Sequence, residues 1–324
     1  MLNEKQLKTI KKICVITLSN IGDVLLTFPA IDALKAQFPQ AELSVVVGPK
    51  ASLLFEGNAN IHNVYVYDKH QSFIQFLFWT RILKQERFDL VVDFRHSVIP
   101  LFLGARFRTP LFYKRDDTHH MKDKHLDVVQ TSIPSIKESI EKVCLGPSTE
   151  STHAIDAFIA DKKQDQALVV IAPGSASNAK WWPDHKYASL SDDLIEQKNA
   201  FVVFIGDALD APLVGEIQSK MKNDALNLCG KTSLSEAATL IKKANLVITN
   251  DSAPCHFASY LDIPVITLFG PTDSLHYGPW GKGGVTLHKN QDCPACNTSQ
   301  KDQQHTCLDA ISVDDVKVCV DRLM

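Results

Sequence analysis

The chain has 324 residues, 45% of them hydrophobic and 22% charged, with a net charge of −3. That is an ordinary globular composition, long enough for two cores of roughly 150 residues each. It carries no electrostatic footprint for nucleic acid, and no apolar run approaches the roughly 18 residues that span a bilayer.

Lys5, Lys8, Lys11 and Lys12 precede the run Ile13 to Leu18. That run is too short and too β-branched for a signal peptide, so it reads as a first strand in a protein that stays in the cytoplasm. The loop Ser19-Asn20-Ile21-Gly22-Asp23 follows, and helical apolar spacing runs from Val24 to Phe38. Pro29 lies inside that span, which predicts a short turn before the main helix, or a kink. Leu43–Val47, Val64–Tyr67 and Leu90–Phe94 read as strands, with a helix at Phe73–Gln85 between the last two. Residues 104–125 break the pattern: they are polar, basic and rich in His, and read either as a solvated loop or as a surface for an anionic partner. Leu126 to Leu145 reads as a helix, and Gly146 to Asp165 as a linker.

A second alternating run then begins. Strands are expected at Ala167–Ala172, Phe201–Ile205, Leu226–Leu228, Leu246–Thr249 and Val265–Phe269. Helices are expected at Lys186–Gln197, Leu213–Met221, Leu234–Lys243 (capped by Ser233), Pro254–Leu261 and Val313–Met324. Strands alternating with helices imply parallel sheets covered on both faces. The expected architecture is two tandem Rossmann-like α/β domains facing a central cleft, 1–160 and 161–324, the second closed by the terminal helix.

Four loops after strands carry candidate chemistry: Gly22-Asp23; Ser175, Ser177, Asn178 and Lys180; Gly206-Asp207; and Asp251, Ser252, Ala253 and His256. Backbone amides at a helix start, hydroxyls and a lysine suit a diphosphate. A carboxylate just after a strand, such as Asp207, suits ribose hydroxyls. Neither the G-x-G-x-x-G fingerprint nor a P-loop is present. Of the eight cysteines, Cys14, Cys229 and Cys255 read as small buried hydrophobes in a reduced protein. Cys293, Cys296 and Cys307, with His305, make a poorly spaced metal set, so a reduced loop or an occasional disulfide is the plainer reading.

Four segments, SNIGDVLLTFPAIDALKAQFP, APGSASNAKWWP, ITNDSAPCHFAS and VITLFGPTD, together resemble the glycosyltransferase family 9 heptosyltransferases of lipopolysaccharide core synthesis. The resemblance implies a GT-B fold, an ADP-heptose donor on the C-terminal domain, and a lipid A–core acceptor on the N-terminal one. It makes Asp23 the catalytic base and Lys180 the lysine at the donor phosphates. Asp251, Ser252, Ala253 and His256 become the loop and helix start that hold diphosphate and sugar. Asp207 corresponds only by position to a ribose-binding acid. Trp181 departs from the family's usual Lys-Arg-Trp-Pro. Gly22, Arg95, Arg106, Arg108 and Arg115 fall in the acceptor half, where an acceptor with phosphates or acidic sugars would suit the arginines. The resemblance implies inverting transfer, with no cofactor, in the cytoplasm at the inner face of the inner membrane. The chain has no Asp-x-Asp triplet, so transfer without a metal is expected. The rivals are another nucleotide-sugar donor, a nucleotide-sugar epimerase, and a non-catalytic nucleotide-sugar binder.

Overall fold

The computed structural model describes residues 2–112, 119–145, 149–163, 165–289, 293 and 306–324. The chain divides into two compact units, Met1–Gly146 and Pro147–Met324.

The first unit runs α1 (Glu4–Leu7), β1 (Lys12–Ile16), α2 (Ile21–Gln37), β2 (Glu42–Val47), β3 (Val64–Val66), α3 (Phe73–Gln85), β4 (Leu90–Asp93), α4 (Ile99–Leu103), β5 (Phe107–Arg108) and α5 (Met121–Gln130). Its five strands lie in the order β3-β2-β1-β4-β5, and every recorded pairing is parallel. Ile13 to Ile16 and Leu90 to Val92 are fully enclosed, as expected of a parallel sheet with both faces covered. Helix α2 is one helix through Pro29, not a turn followed by a helix. Pro29 has no N–H for the carbonyl one turn back. All eleven residues from Val24 to Leu34 are buried, and packing on every side holds the helix through that gap. Each such Val, Leu or Ile stabilises by about 1.5–3 kcal/mol when removed from water.

Helix α5 begins inside the polar run, where the His120 side chain accepts from the Lys122 N–H, and ends at Thr131. The helix expected over Leu126–Leu145 therefore stops early. Pro134 disfavours helical geometry at Ile133, and the irregular chain beyond is held by Asp32, whose carboxylate accepts from the amides of Val143 and Cys144.

The second unit runs α6 (Thr149–Lys163), β6 (Ala167–Ala172), α7 (Asp184–Lys198), β7 (Ala200–Phe204), α8 (Ala211–Lys220), β8 (Leu226–Asn227), α9 (Leu234–Lys243), β9 (Leu246–Asn250), α10 (Ala253–Leu261), β10 (Val265–Phe269), α11 (Ser274–Tyr277) and β11 (Gly284–His288), and ends in the helix Val313–Leu323. Its six-stranded sheet has the order β11-β10-β9-β6-β7-β8, again parallel in every recorded pair. The segment read as a linker is largely α6. It packs on α9 through buried Ile155, a Ser151–Ser235 hydroxyl contact and the Lys243–Asp156 ion pair. The unit boundary accordingly falls at Gly146, before this helix, and not at 160.

Candidate active site

In each sheet the chain order reverses once. In the second unit β6, β7 and β8 proceed one way and β9, β10 and β11 the other, so the reversal lies between neighbours β6 and β9. Loops leaving the carboxyl ends of such strands diverge and open a ligand crevice. The loop after β6 holds Ser175, Ser177, Asn178 and Lys180, and the loop after β9 holds Asp251 and Ser252.

These two loops are joined by side chains. Lys180 Nζ donates to Asp251 Oδ2 at 2.5 Å, with the lysine side chain 27% exposed and the carboxylate 7%. Beneath them, buried Asn250 donates from Nδ2 to the Pro173 carbonyl at 2.5 Å and accepts from the Tyr187 hydroxyl at 3.0 Å. Burial raises the Tyr187 phenol above its ordinary range, although the Asn250 bond opposes this, so it acts as a neutral donor. Thr249 Oγ1 donates to the Ala172 carbonyl at 3.2 Å and contacts Ser252 Oγ at 3.1 Å. Ser252 is the N-cap of α10 with extended backbone and no side-chain cap bond, and Pro254 in the first turn has no N–H. The amides of Ser252 and Ala253 thus open a nine-residue helix at its positive end, beside Lys180.

The other candidates fall around this pair. Ser175 Oγ donates to the Ser177 carbonyl, and Ser177 Oγ accepts weakly from the Ala179 amide as a short helical turn over Asn178–Lys180 begins. His256 is buried and stacks on Trp280 with ring centroids 5.5 Å apart. It is a packed wall of the helix start and not an exposed side chain. Trp181 Nε1 is enclosed with no acceptor among the described residues. Asp207 is exposed, and its Oδ1 accepts from the Leu209 amide.

Sequence reasoning passed over Asp210, which sits behind that loop and takes the Asp207 N–H at 2.9 Å. Its carboxylate fills the space where Gly174 and Gly206 lack side chains: a Cβ on Gly206 would stand 2.5 Å from Asp210 Oδ2, and one on Gly174 would overlap the carboxylate. Burial raises the Asp210 carboxyl above the ordinary range, opposed by the Asp207 N–H and assisted by the Asp207 charge. The signal was the two glycines, each just after a strand. Cys255 accepts from Thr267 Oγ1, and burial pushes its thiol up to about 12, which disqualifies it as a nucleophile.

The first unit repeats the plan. Its order reverses between β1 and β4, and the loops after those strands meet where Arg95 Nη1 donates to Ser19 Oγ at 2.9 Å. The Arg95 guanidinium also lies over the Tyr67 ring, 5.1 Å from its centroid. Buried Asp93 shapes the Arg95 loop by accepting from the amides of Arg95 and Ser97 and from Ser97 Oγ. Burial raises the Asp93 carboxyl, opposed by those bonds. A Cβ on Gly48 would stand 2.6 Å from Ser19 Cα, so the β2 loop also closes on this point. Gly22 and Asp23 occupy the first turn of α2, half-buried, and Asp23 Oδ2 accepts from Asn20 Nδ2 at 2.9 Å.

The basic candidates separate. Arg106 precedes β5 and its Nη1 reaches Thr9 Oγ1, which precedes β1. It therefore lies at the amino edge of the sheet, opposite Asp23 and Arg95. Arg108 is exposed on the edge strand. Arg115, Cys296 and His305 lie outside the described residues. Cys293 and Cys307 are both buried.

Two tandem parallel α/β units, each with a polar site at its sheet reversal, are the GT-B architecture of nucleotide-sugar glycosyltransferases. Comparison with known proteins agrees. The profile of glycosyltransferase family 9 (heptosyltransferase) matches residues 78–306. Lipopolysaccharide heptosyltransferase 3 of Escherichia coli is 25% identical over 327 residues, spanning 94% of this chain and 96% of that protein. A glycosyl transferase family 9 structure from Veillonella parvula superposes with a TM-score of 0.85 at 24% identity, covering 97% of both chains. The E. coli ADP-heptose lipopolysaccharide heptosyltransferase II structure superposes with a TM-score of 0.79 at 21% identity, covering 96% of this chain and 98% of that one. The chain belongs to glycosyltransferase family 9, the heptosyltransferases, and is a glycosyltransferase.

Proposed function

We propose that the chain transfers a heptose from ADP-heptose to a lipopolysaccharide inner-core acceptor, with inversion and without a metal ion. The observation that carries this reading is the Lys180–Asp251 pair beside the start of α10, at the reversal of the second sheet. In this reading Lys180 and the Ser252 and Ala253 amides hold the diphosphate, with Ser175, Ser177 and Asn178 lining the same loop. Asp207 takes ribose hydroxyls, while His256 closes the helix start.

The acceptor is assigned to the first unit, with Asp23 as base and Gly22 and Arg95 beside it. The acceptor oxygen attacks the anomeric carbon as the bond to the diphosphate oxygen breaks, and the hydroxyl proton passes to Asp23. The charge arriving on ADP is met by Lys180 and the helix start, groups already in place before reaction. An acceptor anchored by lipid puts the enzyme in the cytoplasm at the inner face of the inner membrane. No described helix is long and apolar enough to cross a bilayer, so attachment in this reading is peripheral.

The test is Asp23→Ala. Transfer should fall by about 10²-fold or more, while the Kd for ADP stays at its wild-type value. Transfer that survives would remove Asp23 from the base role.

A further inference from the structure

Helix α3 inverts the pattern of an ordinary surface helix. Its inward side chains are satisfied within the unit: Leu83, Phe76 and Trp79 join Val91, Ile99 and Leu103 in one cluster. Phe76 meets Phe102 edge-on at 5.3 Å and lies 6.4 Å from Tyr67. The outward face should then be polar. It carries instead Phe73, Ile74, Phe78 and Ile82 at 69%, 66%, 67% and 57% exposure, with Leu77 between them. Helix α4 packs beside it and adds exposed Leu101 and Phe102. A lone exposed leucine needs no explanation, but a continuous face of aromatic and branched residues marks a surface that meets something apolar.

The charges on this face decide what. Over Phe73–Gln85 the only charged residues are Arg81 and Lys84, and Ile99–Leu103 has none. Neither helix carries a carboxylate, and Glu86, just past the end of α3, is engaged by the Tyr65 hydroxyl and by Lys12. Were it to meet a second copy of itself about a two-fold axis, the two α3–α4 faces would bring four cations and no carboxylate from these helices to pair them. An anionic lipid layer offers hydrocarbon to the rings and phosphate to both cations, whose aliphatic stems can lie along the apolar face while their heads reach outward.

We propose that the exposed face of α3 and α4 docks the protein on an anionic lipid surface, with Phe73, Ile74, Phe78 and Ile82 entering the headgroup boundary and Arg81 and Lys84 pairing with lipid phosphates. This deepens the peripheral-membrane reading above and names the surface that performs it.

Vesicle flotation of the full chain, without donor or acceptor, tests the proposal. Three vesicle types serve: phosphatidylethanolamine with phosphatidylglycerol, the same mixture at high salt, and phosphatidylcholine alone. The wild type should float with the anionic vesicles and largely stay behind with phosphatidylcholine. Phe73→Ser/Phe78→Ser/Ile82→Ser should reduce partitioning about tenfold or more. Arg81→Gln/Lys84→Gln should remove the salt sensitivity. All these positions are exposed, and unchanged thermal unfolding and ADP binding show that the variants are folded. Wild-type protein that ignores anionic vesicles overturns the docking proposal and leaves the transferase reading standing. A serine variant that floats as well as wild type overturns the assignment to this face. Patch-dependent dimerisation in sedimentation, without flotation, replaces the lipid by a second copy.

Discussion

Removing the Lys180 side chain has two separable consequences. It deletes a cation, and it strips the Asp251 carboxylate, 7% exposed, of its partner at 2.5 Å. A charge-assisted hydrogen bond from lysine to phosphate contributes about 1.5–3 kcal/mol, or roughly 10- to 150-fold in Kd. The stripped carboxylate then faces the diphosphate. At about 5 Å and an effective dielectric between about 20 and 80, each pair of like charges costs about 1–3 kcal/mol. Lys180→Ala should therefore weaken ADP binding by about a hundredfold or more. In Lys180→Ala/Asp251→Asn the repulsion is gone, and about tenfold of that loss should return. Calorimetric titration with ADP, which lacks the transferred sugar that Asp251 could otherwise touch, measures both terms at low ionic strength. A Lys180→Ala variant that binds ADP like wild type, or a double variant no better than the single, would refute the account of this pair.

Three further outcomes are expected. Gly174→Ala should destabilise the second unit by about 1–3 kcal/mol, because the new Cβ displaces the Asp210 carboxylate from the Asp207 N–H; unfolding in urea reads this directly, and an unchanged midpoint would mean that Asp210 is not held there. Arg95→Lys should raise the acceptor KM about tenfold or more with the ADP Kd untouched, because a lysine can neither cover the Tyr67 ring nor reach Ser19 with a planar fork; a change confined to ADP binding would move Arg95 out of the acceptor side. Asp315, bonded to Lys289 and to the Ser312 cap, is held down at about 2. Its stabilisation is full above the unfolded carboxylate value near 4 and is lost as pH falls through about 2. Asp315→Asn should thus cost about 1 kcal/mol at pH 7, after allowance for solvent screening, and progressively less between about pH 4 and pH 2; a difference in thermal midpoint that stays flat with pH would contradict this.

The strand–loop–helix–strand unit from Leu246 to Phe269 was legible because its strands are short β-branched runs and Pro254 marks a helix start. The order of strands was not, since parallel neighbours meet through side-by-side pairing that no local pattern encodes. That order puts Lys180 beside Asp251 and Arg95 beside Ser19, which are 71 and 76 residues apart in the chain. Helix α6 was read as a linker because it is polar along most of its length and anchored through a few apolar positions such as Ile155. The edge strands β5 and β11 were missed for a related reason: β5 has two residues within a basic run, and β11 is half-buried and opens on glycine. Arg106 looked like a companion of Arg95 by charge alone, and only the direction of β5 separates them. Asp210 was hidden because a carboxylate that substitutes for two missing side chains leaves no periodicity.

The most direct measurement of the central claim is transfer itself. Purified enzyme is incubated with ADP-heptose and a heptose-deficient lipid A–core acceptor in EDTA, and followed by mass spectrometry and anomeric NMR. The account predicts one added heptosyl unit per ADP released, with the anomeric configuration inverted and the rate unaffected by the chelator. No transfer from ADP-heptose while another nucleotide sugar is consumed would contradict the donor assignment. Loss of activity in EDTA that a divalent ion restores would contradict the metal-free mechanism.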